Sequence, residues 1–122
     1  MDMKLRQGLA PGVLPTLLGA DMADRVEAVG GDVSDLKPGD EAFGLVGGLL
    51  GMPGTYAEYI AADTRLLARK PRSLAMRDAA ALPLELLTAW EAIERLHISE
   101  GDHVLVHAGI GGVGHVGVQP AR

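Results

Sequence analysis

The sequence contains no cysteine. This absence excludes disulfides, cysteine-ligated zinc sites and iron–sulfur clusters. Aromatic residues are also scarce, at 3% of the 122 residues, and this disfavours a stacking platform for single-stranded nucleic acid. Apolar residues nevertheless make up 48% of the chain, which is enough to form a packed core. The composition therefore predicts a folded globular protein.

Basic clusters and long apolar runs are missing as well. Eleven basic against sixteen acidic residues give a net charge of −5, and the densest basic segment is residues 69–72. Nucleic acids and anionic membrane surfaces both need a basic face, so neither is an expected partner. No apolar run approaches the ~20 residues of a membrane span, and residues 1–4 lack the apolar core of a signal peptide. We therefore expect a cytoplasmic protein.

Glycine is abundant, with 17 residues, or 17/122 ≈ 14% of the chain. In the first half the glycines separate short β-like segments. Pro38 followed by Gly39 fits the two central positions of a type II turn, because glycine adopts a positive φ cheaply. Strands are predicted at residues 41–45, 55–61 and 66–70. Short strands at this spacing favour a barrel or a curled sheet.

The pattern changes after Ser73. A short helix is predicted over residues 74–82, stopped by Pro83, and a second helix over residues 84–97. The second helix has an apolar stripe at helical spacing, formed by Leu86, Ala89, Trp90, Ile93 and Leu96. Residues 103–107 are apolar in the middle, which is typical of a buried parallel strand.

A G-x-G-x-x-G motif follows that strand, with its glycines at Gly109, Gly111 and Gly114. In a dinucleotide-binding loop the first glycine allows a tight turn, the second lets the backbone approach a pyrophosphate, and the third allows close helix–strand packing. The helix that follows directs its N-terminal amides at the phosphates. The context favours this interpretation, and a purely structural glycine-rich turn is the alternative.

Several motifs occur in one order along the chain. They are residues 2–8, 17–21, 26–30, 37–41, 54–59, 79–83, 87–90 and the glycine motif. Because these motifs occur in the same order in the medium-chain dehydrogenase/reductase superfamily, the sequence resembles that superfamily. It is most similar to the quinone-oxidoreductase-like and alcohol-dehydrogenase-like members. The resemblance covers nearly the whole chain.

The resemblance implies an α+β to α/β fold, in which a partial GroES-like β-barrel precedes crossover helices and the first β-α unit of a Rossmann fold. The implied domains are residues 1–72 and 73–122. The implied activity is hydride transfer from NADPH or NADH to a quinone, enone or carbonyl substrate, with an alcohol-dehydrogenase-type enzyme as an alternative. The implied cofactor-binding residues are Gly109, Gly111, Gly112, Val113, Gly114 and Thr88. Without the resemblance, Thr88 is a helix-surface hydroxyl.

A zinc site is not expected. Zinc-using relatives place a histidine after the glycine that corresponds to Gly19, and here Ala20 follows. A catalytic zinc needs three protein ligands and an open position. The four histidines, at 97, 103, 107 and 115, are expected to have plain structural roles, although His115 could lie near a phosphate. The serines lack a nucleophile elbow, and no catalytic residue can be named.

Three features depart from the family pattern. Asp24 replaces a glycine, so we expect crowding or strain there. Pro120 lies some eight residues into the expected Rossmann helix, where an interior proline costs ~3 kcal/mol or more. The chain also stops at Arg122, before the residue that reads the adenosine ribose. We therefore expect part of an enzyme two to three times longer, which alone binds NADPH weakly or not at all and tends to self-associate. A homo-oligomer is expected, and a non-catalytic, self-associating or partner-binding barrel remnant is the alternative.

Overall fold

A computed structural model of the chain describes residues 2–7, 17–48 and 52–120. Helix α1 is formed by Asp2–Arg6 near the start of the chain. The strands are β1 (Asp21–Arg25), β2 (Glu41–Leu45) and β3 (Leu67–Arg69), and a 3-10 turn at Thr64–Leu66 leads into β3. The later helices are α2 (Met76–Ala79), α3 (Pro83–Arg95) and α4 (Gly112–Gly117). After α1 the three strands come first and the remaining helices follow, which agrees with the predicted fold class.

The three strands form one antiparallel sheet in the order β1-β2-β3. Phe43, in the central strand, pairs with Ala23 on one side and with Ala68 on the other. Ala42 and Gly44 are buried. A Cβ on Gly44 would collide with the carbonyl oxygen of Leu66, so only glycine lets the strands approach this closely. The strands predicted at residues 41–45 and 66–70 are confirmed.

The turn before β2 also agrees with its prediction. The Asp40 amide donates to the carbonyl of Lys37 over 3.1 Å, which closes a four-residue turn. Gly39 has φ +91°, a conformation that glycine adopts without the penalty a Cβ imposes. A proline-glycine pair therefore sets the entry into the central strand.

The strand predicted over residues 55–61 is wrong. The Thr55 and Tyr56 amides donate to the carbonyls of Gly19 and Leu18, but no ladder continues beyond them. Tyr56 and Tyr59 are exposed, so their side chains bury no apolar face. The Tyr56 hydroxyl instead donates to Asp2 of α1 over 2.8 Å. Strand propensity failed here because it reflects packing against a sheet that this segment does not join.

One lysine ties the end of the sheet to the start of the helical half. The Lys70 side chain is only 5% exposed, and its ammonium lies 3.0 Å from a carboxylate oxygen of Glu41. It also donates to the carbonyls of Pro71 and Leu74. A nearly buried ammonium is tolerated only with such partners, so this set of contacts fixes the chain path between β3 and α2.

The helices are close to their expected positions but shorter. Pro83 is the first residue of α3, a position where its missing N–H has no acceptor to lose. Past the end of α3, His97 has φ +53°. Ala89 is buried against α4, whereas Trp90 and Leu96 of the predicted stripe are exposed. The buried face of α3 is therefore narrower than the sequence pattern indicates.

Three further expectations fail in this half of the chain. Residues 103–107 pair with no strand in the described part of the chain, and Leu105 is 80% exposed. Helix α4 ends at Gly117, so Pro120 lies in the following turn and breaks no helix. Asp24 sits unstrained in β1 opposite Ala42, because its strand conformation needs no positive φ.

Candidate functional site

The glycine motif forms a tight loop that leads into α4. The Gly111 amide donates to the Ala108 carbonyl over 2.9 Å, and Gly111 is the N-cap residue of the helix. The His115 amide then donates back to the Gly111 carbonyl over 2.9 Å. The loop is thus closed by backbone hydrogen bonds on both sides of Gly111.

The three motif glycines have different surroundings. A Cβ on Gly114 would collide with the Ala108 carbonyl oxygen and lie 2.8 Å from the Gly109 Cα, so close packing requires glycine at 114. A Cβ on Gly111 would meet only the Ala108 oxygen, at 3.3 Å, and a Cβ on Gly109 would meet nothing closer than 3.8 Å. The left-handed residue of the turn is Ala108, with φ +54°, whereas Gly109, the first motif glycine, has no positive φ.

The start of α4 can accept an anion. No side chain of the described residues caps this helix, and the amides of Gly112, Val113 and Gly114 precede the first intrahelical donor, His115. Such amides have no acceptor within their own helix and need one from outside it. Gly111 and Gly112 are exposed, so their backbone is accessible to a ligand. The loop therefore fits a phosphate group.

Glu85, in the first turn of α3, lies against this loop. Its Cγ and Oε1 would each be 3.0 Å from a Cβ added to Gly112. Its Oε2 is buried, and no donor among the described residues bonds to it. Sequence reasoning missed this contact, because glutamate is common in a first helical turn for other reasons.

Asp21 connects the sheet to the same helix end. One of its carboxylate oxygens accepts the Leu84 amide over 2.9 Å, and its carbonyl oxygen accepts the Thr55 hydroxyl over 2.6 Å. Burial raises the pKa of Asp21 from 3.8 to about 6; the Leu84 hydrogen bond opposes this rise, and the negative charge of Glu85 adds to it. Asp21 thus acts as a cap for α3 from 63 residues away.

Thr88 is exposed on α3, one turn after Glu85. Its hydroxyl donates to the Leu84 carbonyl over 2.6 Å. Residues three and four apart share a helix face, so Thr88 lies beside the flank formed by Glu85 and Ala89, both of which contact α4. The structure therefore places Thr88 next to the loop-facing side of α3, with its proton already engaged.

The histidines do not form a site in the described residues. His115 is exposed, and its Nδ1 lies 3.0 Å from the Gly111 carbonyl oxygen, so it braces the loop from within α4. Within residues 2–7, 17–48 and 52–120, no group of three or more metal-ligating side chains comes together. The expectation of no zinc stays a prediction. The same residues contain no helix long and apolar enough to cross a membrane.

A three-stranded antiparallel sheet thus precedes a helix that is capped from the sheet, and the glycine loop follows that helix. Residues 1–72 match the family model of the alcohol dehydrogenase GroES-like domain. The chain belongs to this family, within the medium-chain dehydrogenase/reductase superfamily. This confirms the resemblance that the sequence motifs indicated.

Individual relatives agree with this assignment. The chain is 42% identical to an NADPH-dependent alkenal/one oxidoreductase of Arabidopsis thaliana, over all of this chain and 33% of that protein. An alcohol dehydrogenase superfamily protein from Novosphingobium aromaticivorans superimposes with a TM-score of 0.92 at 48% identity, over 98% of this chain and 38% of that one. A quinone oxidoreductase from Coxiella burnetii gives 0.87 at 37% identity, over 98% and 39%. The chain thus spans about a third of the length of its curated relatives.

Proposed function

We propose that this chain carries the phosphate-binding loop and adjoining barrel sheet of an NAD(P)H-dependent oxidoreductase that reduces a quinone, enone or other carbonyl substrate. The observation that carries the proposal is the geometry at Gly114. Its missing Cβ lets the loop close onto the start of α4, and this arrangement presents three amides without intrahelical acceptors. That is the backbone design of a dinucleotide loop.

The amides of Gly112, Val113 and Gly114 would hold the pyrophosphate, with Gly109 and Gly111 leaving room for it. NADPH is the cofactor favoured, because the Arabidopsis relative is named as NADPH-dependent. The bound nicotinamide would supply the hydride. Thr88 is proposed to lie near the nicotinamide. Its hydroxyl donates to the Leu84 carbonyl, so the hydroxyl oxygen keeps a lone pair that can accept a hydrogen bond.

The proposal divides the chain into residues 1–72 and 73–122. All three strands lie in the first part, and α2, α3 and the glycine loop lie in the second. The hydrogen bond from Leu84 to Asp21 crosses this boundary. A substrate between the two parts would meet the half-buried Asp21 carboxyl.

A direct binding titration tests the proposal. NADPH is added to the full chain while cofactor fluorescence and backbone amide NMR shifts are followed, and the same is done for Gly111→Val. We expect weak binding that shifts residues 111–114 and is lost in the variant. Gly31→Val is the matched control, because a Cβ on Gly31 meets nothing within 4 Å. Equal binding by Gly111→Val would refute the proposal.

Two further measurements address the activity. NADPH oxidation that depends on an added quinone or enone, and that is absent in Gly111→Val, would support the reductase. Activity with an alcohol and NAD(P), together with one tightly held zinc per chain by metal analysis, would favour the alcohol-dehydrogenase alternative and overturn the expectation of no zinc.

A second candidate function is a self-associating or partner-binding module. Its support is the apolar surface around residues 103–110, where Leu105 is 80% and Ile110 is 100% exposed. Exposed apolar residues on an unpaired segment favour association with another chain. Sedimentation analysis distinguishes the candidates: a stable oligomer without NADPH binding favours the module, and a monomer that binds NADPH favours the reductase.

A further inference from the structure

We infer that Glu85 determines the affinity of the glycine loop for anions, as a carboxylate that weakens phosphate binding there. The inference rests on the proposed function, since it concerns the same loop. It adds a residue outside the glycine motif that acts on the ligand through its charge.

The position of Glu85 supports this role. Its Cγ and Oε1 would each lie 3.0 Å from a Cβ added to Gly112, whose amide is one of the three proposed phosphate donors. A phosphate held by the Gly112 amide would therefore lie in the neighbourhood of this carboxylate. The contact is held in place because Ala89, one turn further along α3, packs against Gly117 of α4.

The charge of Glu85 is not balanced by a neighbouring cation in the described part of the chain. The ion pairs there join Arg65 to Asp63, Arg69 to Asp40, Lys70 to Glu41 and Arg95 to Glu91, and none includes Glu85. The acidic neighbour is Asp21, which also carries negative charge at pH 8. In addition, Oε2 is buried without a donor. The carboxylate therefore presents an uncompensated negative field at the loop.

The expected size of the effect follows from Coulomb's law. Two unit charges about 4 Å apart in a water-like dielectric change a binding constant about fivefold. Lower dielectric increases this factor and added salt reduces it. Replacing the carboxylate by an isosteric amide should thus tighten anion binding about fivefold or more.

The test compares Glu85→Gln with Glu94→Gln. Glu94 lies nine residues further along α3, on the opposite, exposed side of the helix. The control therefore removes the same charge at a position that does not contact the loop. Inorganic pyrophosphate and NADPH are each titrated into the full chain at pH 8, and the amide shifts of residues 111–114 give the dissociation constants. Dispersed amide spectra confirm that each variant is folded. Glu85→Ala is a second variant that also removes the carboxylate.

We expect both probes to bind Glu85→Gln about fivefold more tightly than the unchanged protein, with a smaller ratio at high salt and no change for Glu94→Gln. Equal affinities for the unchanged protein and Glu85→Gln would overturn the role of Glu85 while leaving the loop's function intact. Equal gains in both variants would assign the effect to net charge and also overturn it. Failure of every variant to bind either probe would overturn the role of Glu85 and the proposed function together.

Discussion

Asp21 is predicted to make the stability of this protein depend on pH between about 4 and 7. Its folded-state pKa of about 6 exceeds the ordinary 3.8, because burial disfavours the charged carboxylate. The folded chain therefore binds more protons than the unfolded chain over this range. The stability that comes from this extra proton binding by Asp21 is fully present below pH 3.8 and is lost as the pH rises through about 6.

The magnitude follows from the shift of about two pKa units, at 1.36 kcal/mol each, which gives at most about 3 kcal/mol. Asp21 is only half-buried, so solvent screening reduces this to about 1 kcal/mol. Asp21→Asn removes the charge but keeps an oxygen that can accept the Leu84 amide. It should be about 1 kcal/mol more stable than the unchanged protein at pH 8 and equally stable at pH 4. Asp21→Ala loses the cap as well, at a cost of about 1 kcal/mol.

Urea unfolding provides the assay. The chain has one tryptophan, Trp90, and it lies on α3, the helix that Asp21 caps. Its fluorescence therefore reports on the relevant element. Asp24→Asn is the control, since Asp24 is an exposed carboxylate of the same strand. If Asp21→Asn proved less stable than the unchanged protein at pH 8, the attraction between the carboxylate and the N-terminus of α3 would outweigh the cost of burial, and the reasoning would be refuted.

Three more substitutions test single contacts by thermal or urea unfolding. Lys70→Ala leaves Glu41 and two carbonyls without their donor, so it should lower the free energy of unfolding by about 2–3 kcal/mol. Lys37→Ala, at an exposed lysine, is the control and should change it little. Similar losses in both variants would contradict the buried contacts of Lys70. Gly114→Ala pushes a Cβ into the Ala108 carbonyl and should cost about 2 kcal/mol, and an unchanged midpoint would argue against close packing at the loop. Ala108→Gly removes the strain of a left-handed alanine but adds the conformational entropy of a glycine in the unfolded chain, so it should stabilise the protein by about 0.5 kcal/mol. A clear loss of stability would show that Ala108 is not strained.

Local sequence signals predicted the parts of the fold that depend on near neighbours. Pro38 and Gly39 specify their turn through their own dihedral preferences, and Glu41–Leu45 alternates between its two faces as a half-buried strand does. Residues 55–61 are richer in strand-forming residues, with Thr55, Tyr56, Tyr59 and Ile60, but no strand of the described residues pairs with them. The prediction failed there because pairing, and not propensity, decides whether a segment becomes a strand.

The candidate site, like the fold, was predictable only where it depends on residues close together in the sequence. The glycine spacing located the loop, because the contact that requires glycine at 114 is with the Ala108 carbonyl, only six residues earlier. The roles of Asp21 and Glu85 depend on contacts between distant parts of the chain, and Asp21 reaches across 63 residues to Leu84. No spacing rule brings such residues together. The left-handed turn residue fell on Ala108 because the loop's own hydrogen bonds, from Gly111 to the Ala108 carbonyl, set the backbone there.

The most direct test of the central claim is to map where NADPH contacts the full chain. Backbone amide shifts are recorded during a titration with NADPH, for the unchanged protein and for Gly111→Val. The proposed function predicts saturable shifts centred on residues 111–114 that disappear in the variant. Shifts centred on the sheet, or shifts of equal size in Gly111→Val, would contradict the assignment of this loop as the dinucleotide site.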